Sequence, residues 1–126
     1  MINTKLTRKA MIIAYEAHKN QVDKSGVPYI YHPIHVAEQM DTENECIIAL
    51  LHDVVEDTNV TFKQLEEVFS KEIIDILKLL TREENIEYDE YIKRIKNNSI
   101  ACKVKIADLT HNLDKTRLDF VTEVDV

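Results

Sequence analysis

Backbone breakers are scarce in this chain of 126 residues, with one glycine and two prolines. All three fall within "DKSGVPYIYHP", Asp23 to Pro33. Outside that segment nothing local stops a helix, because glycine's freedom and proline's missing N–H are the usual punctuation. Cysteine is equally sparse. Cys46 and Cys102 stand in unpatterned positions beside apolar residues, which excludes a disulfide framework and a zinc–thiolate site and makes the cytoplasm the expected compartment. No apolar run approaches the ~20 residues that span a bilayer. The opening "MINTKLTRKAMIIAYEAHKN" lacks a cleavage pattern and reads as an amphipathic helix. Positive charge is also short, with 16 Lys and Arg against 23 Asp and Glu and a formal net charge of −7. That balance argues against a nucleic-acid partner, whose backbone is bound through phosphate neutralisation. A small anionic substrate stays open, since a divalent cation and a few lysines can reverse the field within one cleft.

What is present belongs to a globular domain. The hydrophobic share of 44% and charged share of 31% suit a soluble chain with one core, expected to form a single domain over residues 1–126. Apolar residues recur at helical spacing almost throughout. "LTRKAMIIAYEAHKNQV" puts Leu6, Ala10, Ile13, Ala14 and Ala17 on one face. "PIHVAEQM" is expected to open a short helix at Pro33, with His32 before it in a cap-like position. "ENECIIALLHDVVED" reads as one continuous, nearly all-round apolar helix at the centre of the fold. "VTFKQLEEVF" starts at Thr61 without a clean capping box, whereas "SKEIIDILKLLT" has Ser70 as N-cap and Ile73, Ile74, Leu77 and Leu80 on one face. "YDEYIKRIKN" and "SIACKVKIADLTHNLDKTR" complete the set, the latter capped by Ser99. The expected fold is all-α with one ordered loop near residues 22–32. That loop reads in two ways: a Gly-Ser-Lys turn that brings backbone amides and Lys24 to a phosphate, or a plain helix–helix connection.

"HDVVED", His52 to Asp57, follows the apolar run "CIIALL" directly. Ionised carboxylates beside a buried helix are costly unless paired, and a cation is the simplest partner. On a helix His52 and Glu56 share a face, as do Asp53 and Asp57. Adjacent His52 and Asp53 diverge by roughly 100°, so they converge on one ion only near a helix rim, with further ligands from elsewhere. Candidates are His32, held before Pro33, with His35 as its rival, and Asp108 in "VKIADLTHN", where Val104, Ile106, Ala107 and Leu109 imply burial. Asp108 and Asn112 share a face four residues apart. An isolated His-Asp dipeptide is common by chance; three distant segments each offering a donor in apolar surroundings are not. Two histidines and two aspartates without thiolate suit Mn²⁺, Fe²⁺, Zn²⁺ or Mg²⁺ and leave positions open for water and substrate. Glu56 and Asp57, one turn along, are placed as general base and acid. His18 and His111 are expected at the surface or capping the core. Tyr29, Tyr88 and Tyr91 are expected to wrap the core with solvated hydroxyls.

"PYIYHP", "ALLHDVVEDT" and "VKIADLTHN", in this order and at these spacings, resemble the HD-superfamily hydrolase domain of RelA/SpoT-type enzymes. The likeness is strongest to small stand-alone HD proteins, through "QVDKSGVPYI" and "NLDKTR", and runs from about Ala14 to Arg117. It implies a compact helical bundle around a metal site and hydrolysis of the 3′-pyrophosphate of guanosine tetra- or pentaphosphate with Mn²⁺. It implies His32, His52, Asp53 and Asp108 as metal ligands and Glu56 and Asp57 as the groups handling the attacking water and its protons. Asn112, Lys24 and Ser25 are implied as substrate contacts. Two alternatives accompany that reading: an HD-type phosphatase for another nucleotide, such as a deoxynucleoside monophosphate or a phosphorylated dinucleotide, and a non-catalytic metal- or nucleotide-binding module. The chain departs from the family at Asp23, where those enzymes carry arginine, and at "FVTEVDV", where related chains continue; a minimal or shortened form of the domain is expected.

Overall fold

The structure is a computed structural model that describes the backbone of residues 1–125 and the side chains of residues 1–113. The side chains of "DKTR" and "FVTEVDV" lie outside the described residues. Eight helices follow one another among the described residues: α1 (Lys5–His18), α2 (Tyr31–Glu38), α3 (Glu43–Leu51), α4 (Val54–Asp57), α5 (Phe62–Glu66), α6 (Lys71–Leu80), α7 (Tyr88–Lys96) and α8 (Ser99–Asp125). No strand is formed by them, only an isolated bridge between Val22 and Pro28. No described helix is long and apolar enough to cross a membrane.

Helix α3 is the axis of the fold. Every residue from Cys46 to Leu51 is buried, as its continuous apolar run requires, and α1, α2, α6 and α8 pack around it. Each neighbour contributes one apolar stripe, such as Ala10 and Ala14 from α1, Val36 and Ala37 from α2, and Ile73, Ile74 and Leu77 from α6. Cys46 is a core residue and Cys102 is half-buried, both as free thiols.

Several helix starts differ from the sequence expectation. Thr61 does begin a capping box, but with Gln64: the Gln64 amide donates to Thr61 Oγ1 at 3.3 Å and the Thr61 amide to Gln64 Oε1 at 2.9 Å. Ser70 caps α6 as expected, accepting from the Ile73 amide at 3.4 Å. At α8 the cap is Asn98, one residue earlier than Ser99, its Oδ1 accepting from the Ala101 amide at 2.9 Å. Helix α2 begins at Tyr31, so His32 and Pro33 both lie inside its first turn. The missing N–H of a proline costs nothing there, because first-turn amides have no intrahelical acceptor.

The expected continuous helix from Glu43 to Asp57 is broken. His52 and Asp53 form a turn between α3 and α4, with Asp53 at φ −106°, ψ −2°, in the sparsely populated bridge region. No glycine or proline causes this. The His52 ring takes over a last-turn carbonyl that the break exposes, its Nδ1 lying 2.6 Å from the Ala49 oxygen.

Candidate metal centre

That break settles how two adjacent residues reach one point. His52 and Asp53 both turn inward, and with His32 from α2 and Asp108 from α8 they offer four ligand atoms all within 4.8 Å of one another. His32, His52 and Asp108 are buried. His32 Nε2 lies 2.7 Å from Asp108 Oδ1. His52 Nε2 lies 3.0 Å from Asp53 Oδ2 and 3.4 Å from Asp108 Oδ1, yet it is a buried nitrogen without a properly directed hydrogen bond. Since Nδ1 is committed to the Ala49 carbonyl, Nε2 is the atom presented to the cluster. An orphaned ring nitrogen among two carboxylates and a second imidazole fits a divalent first-row cation, and the set of two nitrogens and two oxygens without sulfur matches no structural zinc site.

The electrostatics of the bare cluster say the same. Burial pulls the His52 imidazole down, but the Asp53 and Asp108 carboxylates overcome it and push it up to about 10. Burial likewise opposes ionisation of Asp108, yet the His32 hydrogen bond and the neighbouring His52 charge hold its carboxyl well below the usual range. Asp53 is also lowered: burial works against it and the His52 charge prevails. In metal-free protein a proton on His52 thus balances the two carboxylates. This has a measurable consequence for metal-free protein. The folded state holds that proton to about pH 10, the unfolded chain only to about 6.5, so the stabilisation is complete below pH 6.5 and is lost as pH rises toward 10. The melting temperature in chelator is expected to decline over that window. Saturating metal, which replaces the proton, should flatten the trend; an equal decline with and without metal would contradict this assignment of the cluster.

Further side chains contact the four clustered donors. The Tyr29 hydroxyl donates to Asp53 Oδ2, and burial, reinforced by the Asp53 charge, pushes the phenol far above its ordinary value, so it remains a donor. Lys105 Nζ lies 3.3 Å from Asp108 Oδ2 and 5.3 Å from the Tyr91 ring centroid. Asn112 Nδ2 donates to Asp108 Oδ1 at 3.3 Å. His111 Nδ1 lies 2.7 Å from His32 Nδ1.

Glu56 and Asp57 project from α4 at the exposed rim, three and four residues past Asp53. Both carboxyls are raised: burial contributes most, followed for Glu56 by the charges of Asp57 and Asp53 and for Asp57 by that of Asp53. Lys24 and Ser25 occupy the exposed tip of the α1–α2 loop. Here the amides are not offered to a phosphate. Asp23 Oδ1 accepts from the amides of Ser25 at 2.8 Å and Val27 at 3.1 Å, and its carbonyl accepts from Gly26 at 3.0 Å. Gly26 closes this turn at φ +82°, where a side chain would be strained.

Other expectations are revised. His35 is exposed and stacks on His111 with ring centroids 4.1 Å apart, so it is not among the clustered donors. His18 is buried, not superficial; its Nδ1 lies 2.8 Å from Gln21 Oε1, and Gln21 Nε2 donates to the Asp57 carbonyl at 2.9 Å. His111 is half-buried and lies against His32. Of the three tyrosines, Tyr88 is exposed, Tyr91 is buried with its hydroxyl donating to the Leu80 carbonyl at 2.6 Å, and Tyr29 belongs to the site. Ile106 and Leu109, which had implied burial of Asp108, face outward. Tyr29, Lys105 and His111 were missed as site residues. For Lys105 a signal existed, a lysine one turn before a buried aspartate.

The helical cluster and its four-donor site define an HD domain, and the chain belongs to the HD-domain family: the model of that family matches residues 10–101. It is 35% identical over 124 residues to a guanosine-3′,5′-bis(diphosphate) 3′-pyrophosphohydrolase of Danio rerio, covering 88% of this chain and 69% of that one. It is 31% identical over 124 residues to the bifunctional (p)ppGpp synthase/hydrolase SpoT of Escherichia coli K12, covering 86% of this chain but only 18% of SpoT. The chain thus spans less than a fifth of that bacterial relative. A solved structure of a metazoan SpoT orthologue, described as hydrolysing ppGpp, superposes with a TM-score of 0.80 at 26% identity over 94% of this chain and 74% of that one.

Proposed function

We propose that this chain is a metal-dependent phosphohydrolase that removes the 3′-pyrophosphate of guanosine tetra- or pentaphosphate. The observation that carries the reading is the convergence of His32, His52, Asp53 and Asp108 beside two carboxylates raised above their ordinary range. The names of the relatives support the substrate. Of the ions that suit this donor set, Mn²⁺ is the first choice, with Fe²⁺, Zn²⁺ and Mg²⁺ as alternatives. When bound, such a cation supplies Lewis-acid polarisation of a phosphoryl oxygen and acidifies water. The protein residues do the rest. Glu56 accepts a proton from the attacking water, and Asp57 returns one to the departing 3′-oxygen, so that the bond from that oxygen to phosphorus breaks and pyrophosphate leaves. The Lys105 charge helps keep the Asp108 carboxylate ionised, and Asn112, which donates to it, is the substrate contact on that side. Lys24 adds positive charge on the nucleotide side, with Ser25 beside it. A cytoplasmic setting suits the two free thiols.

Asp23 favours a second reading. Its carboxylate is turned onto the amides of its own loop and offers no cationic plane on which a guanine could stack. The same chemistry would then serve another nucleotide. The deciding assay is Mn²⁺-dependent release of pyrophosphate or phosphate from a nucleotide panel that includes guanosine tetraphosphate, with Asp53→Ala as control. Pyrophosphate from the alarmone, absent in the control, is the expected result. Phosphate from a different nucleotide would replace the substrate and keep the mechanism. No turnover by metal-loaded protein would leave a binding module.

A further inference from the structure

The two imidazoles at the centre face the same requirement. A histidine that gives one nitrogen's lone pair to a cation carries its proton on the other, and that N–H needs an acceptor to hold the ring in place. For His52 the acceptor is the Ala49 carbonyl, 2.6 Å from Nδ1. For His32 the carbonyl three residues back belongs to Tyr29 and already accepts the His32 amide at 2.9 Å. What lies against His32 Nδ1 is another imidazole nitrogen, His111 Nδ1, at 2.7 Å.

We infer that His111 is a positioning residue for the metal ligand His32, accepting a hydrogen bond from His32 Nδ1–H that turns His32 Nε2 toward the ion. The inference rests on the metal-site reading above. Two nitrogens at this separation must be one donor and one acceptor. His32 Nε2 faces Asp108 Oδ1 at 2.7 Å, inside the cluster, so with a cation present the proton of His32 sits on Nδ1. His111 Nδ1 is then the acceptor, and the His111 proton sits on Nε2. The His111 ring is held on two sides: it stacks on His35 at 4.1 Å between centroids and lies nearly parallel to His32 at 4.9 Å. One turn of α8 therefore carries both a ligand, Asp108, and the group that aims a ligand on α2.

Stacking alone could explain three neighbouring rings, and the test separates stacking from acceptance. His111→Phe keeps an aromatic ring and removes the acceptor. His111→Asn removes the ring but places an amide oxygen where Nδ1 was. Mn²⁺ uptake by metal-stripped protein is followed through the paramagnetic resonance of the free ion, with circular dichroism establishing that each variant is folded. His111→Phe is expected to weaken Mn²⁺ binding by about 10- to 100-fold, and His111→Asn by no more than about threefold. Should the phenylalanine variant not fold, His111→Leu makes the same comparison. Wild-type affinity in the phenylalanine or leucine variant would overturn the inference, as would an equal loss in that variant and His111→Asn. Wild-type protein that takes up neither Mn²⁺ nor Fe²⁺, Zn²⁺ or Mg²⁺ would overturn the metal-site reading itself and this inference with it, which sets that failure apart from the others.

Discussion

Asp108→Ala is expected to abolish measurable Mn²⁺ binding and to lower the stability of the metal-free protein by about 3–5 kcal/mol. Asp108 is only 6% exposed, and four groups converge on its two oxygens: His32 Nε2, His52 Nε2, Lys105 Nζ and Asn112 Nδ2, at 2.7, 3.4, 3.3 and 3.3 Å. Alanine leaves the His32 ring and the Lys105 ammonium without their carboxylate, and leaves His52 with Asp53 alone. The Lys105 side chain is 18% exposed, too little for water to replace the carboxylate. Breaking a buried pair from one side costs more than the pair itself contributes, because the partner charge stays behind. Asp108→Asn should recover part of the stability, having the same shape and one oxygen, but not the metal affinity, which needs the charge. Chemical denaturation in chelator and Mn²⁺ titration read the two effects separately. An alanine variant that binds Mn²⁺ like the wild type would remove Asp108 from the ligand set.

Glu56→Gln should act on the other half of the mechanism. Turnover is expected to fall by about 10²- to 10⁴-fold with Mn²⁺ affinity unchanged, because Glu56 contributes no atom to the four-donor cluster. Glutamine matches glutamate in size and cannot take a proton. The wild-type pH profile should carry the matching signature. Burial, followed by the charges of Asp57 and Asp53, raises the Glu56 carboxyl above its ordinary value of 4.5. The ionised base is therefore lost earlier on acidification, and kcat/KM should drop at a pH above that value. Full turnover by Glu56→Gln would exclude Glu56 as the base. A folded, metal-loaded wild type inert toward every nucleotide would favour the non-catalytic module.

The helical class and the four clustered donors were legible in the sequence for different reasons. Helices showed because breakers are confined to one loop and apolar residues recur at their period elsewhere. The donors showed because polar, chargeable residues were embedded in apolar surroundings at three separate places. What stayed hidden depends on tertiary contact. Tyr29 meets Asp53 across 24 positions and His32 meets His111 across 79, and no local pattern names such partners. The turn at His52–Asp53 was equally silent, since neither residue is a breaker; the imidazole contact with the Ala49 carbonyl that accompanies it shows only in the fold. Ile106 and Leu109 misled in the opposite sense, being apolar and exposed.

The interruption between α3 and α4 also bears on when the ion arrives. His52 is anchored to the last turn of a helix whose residues from Cys46 to Leu51 are buried by hydrocarbon neighbours, and that packing requires no cation. The chain can therefore complete its core first and receive metal afterwards, unlike small zinc domains whose folding waits for the ion. A finished donor cluster meets the ions at the concentrations its compartment maintains, so local availability, weighed against the affinity order of divalent metals, decides which one it would carry.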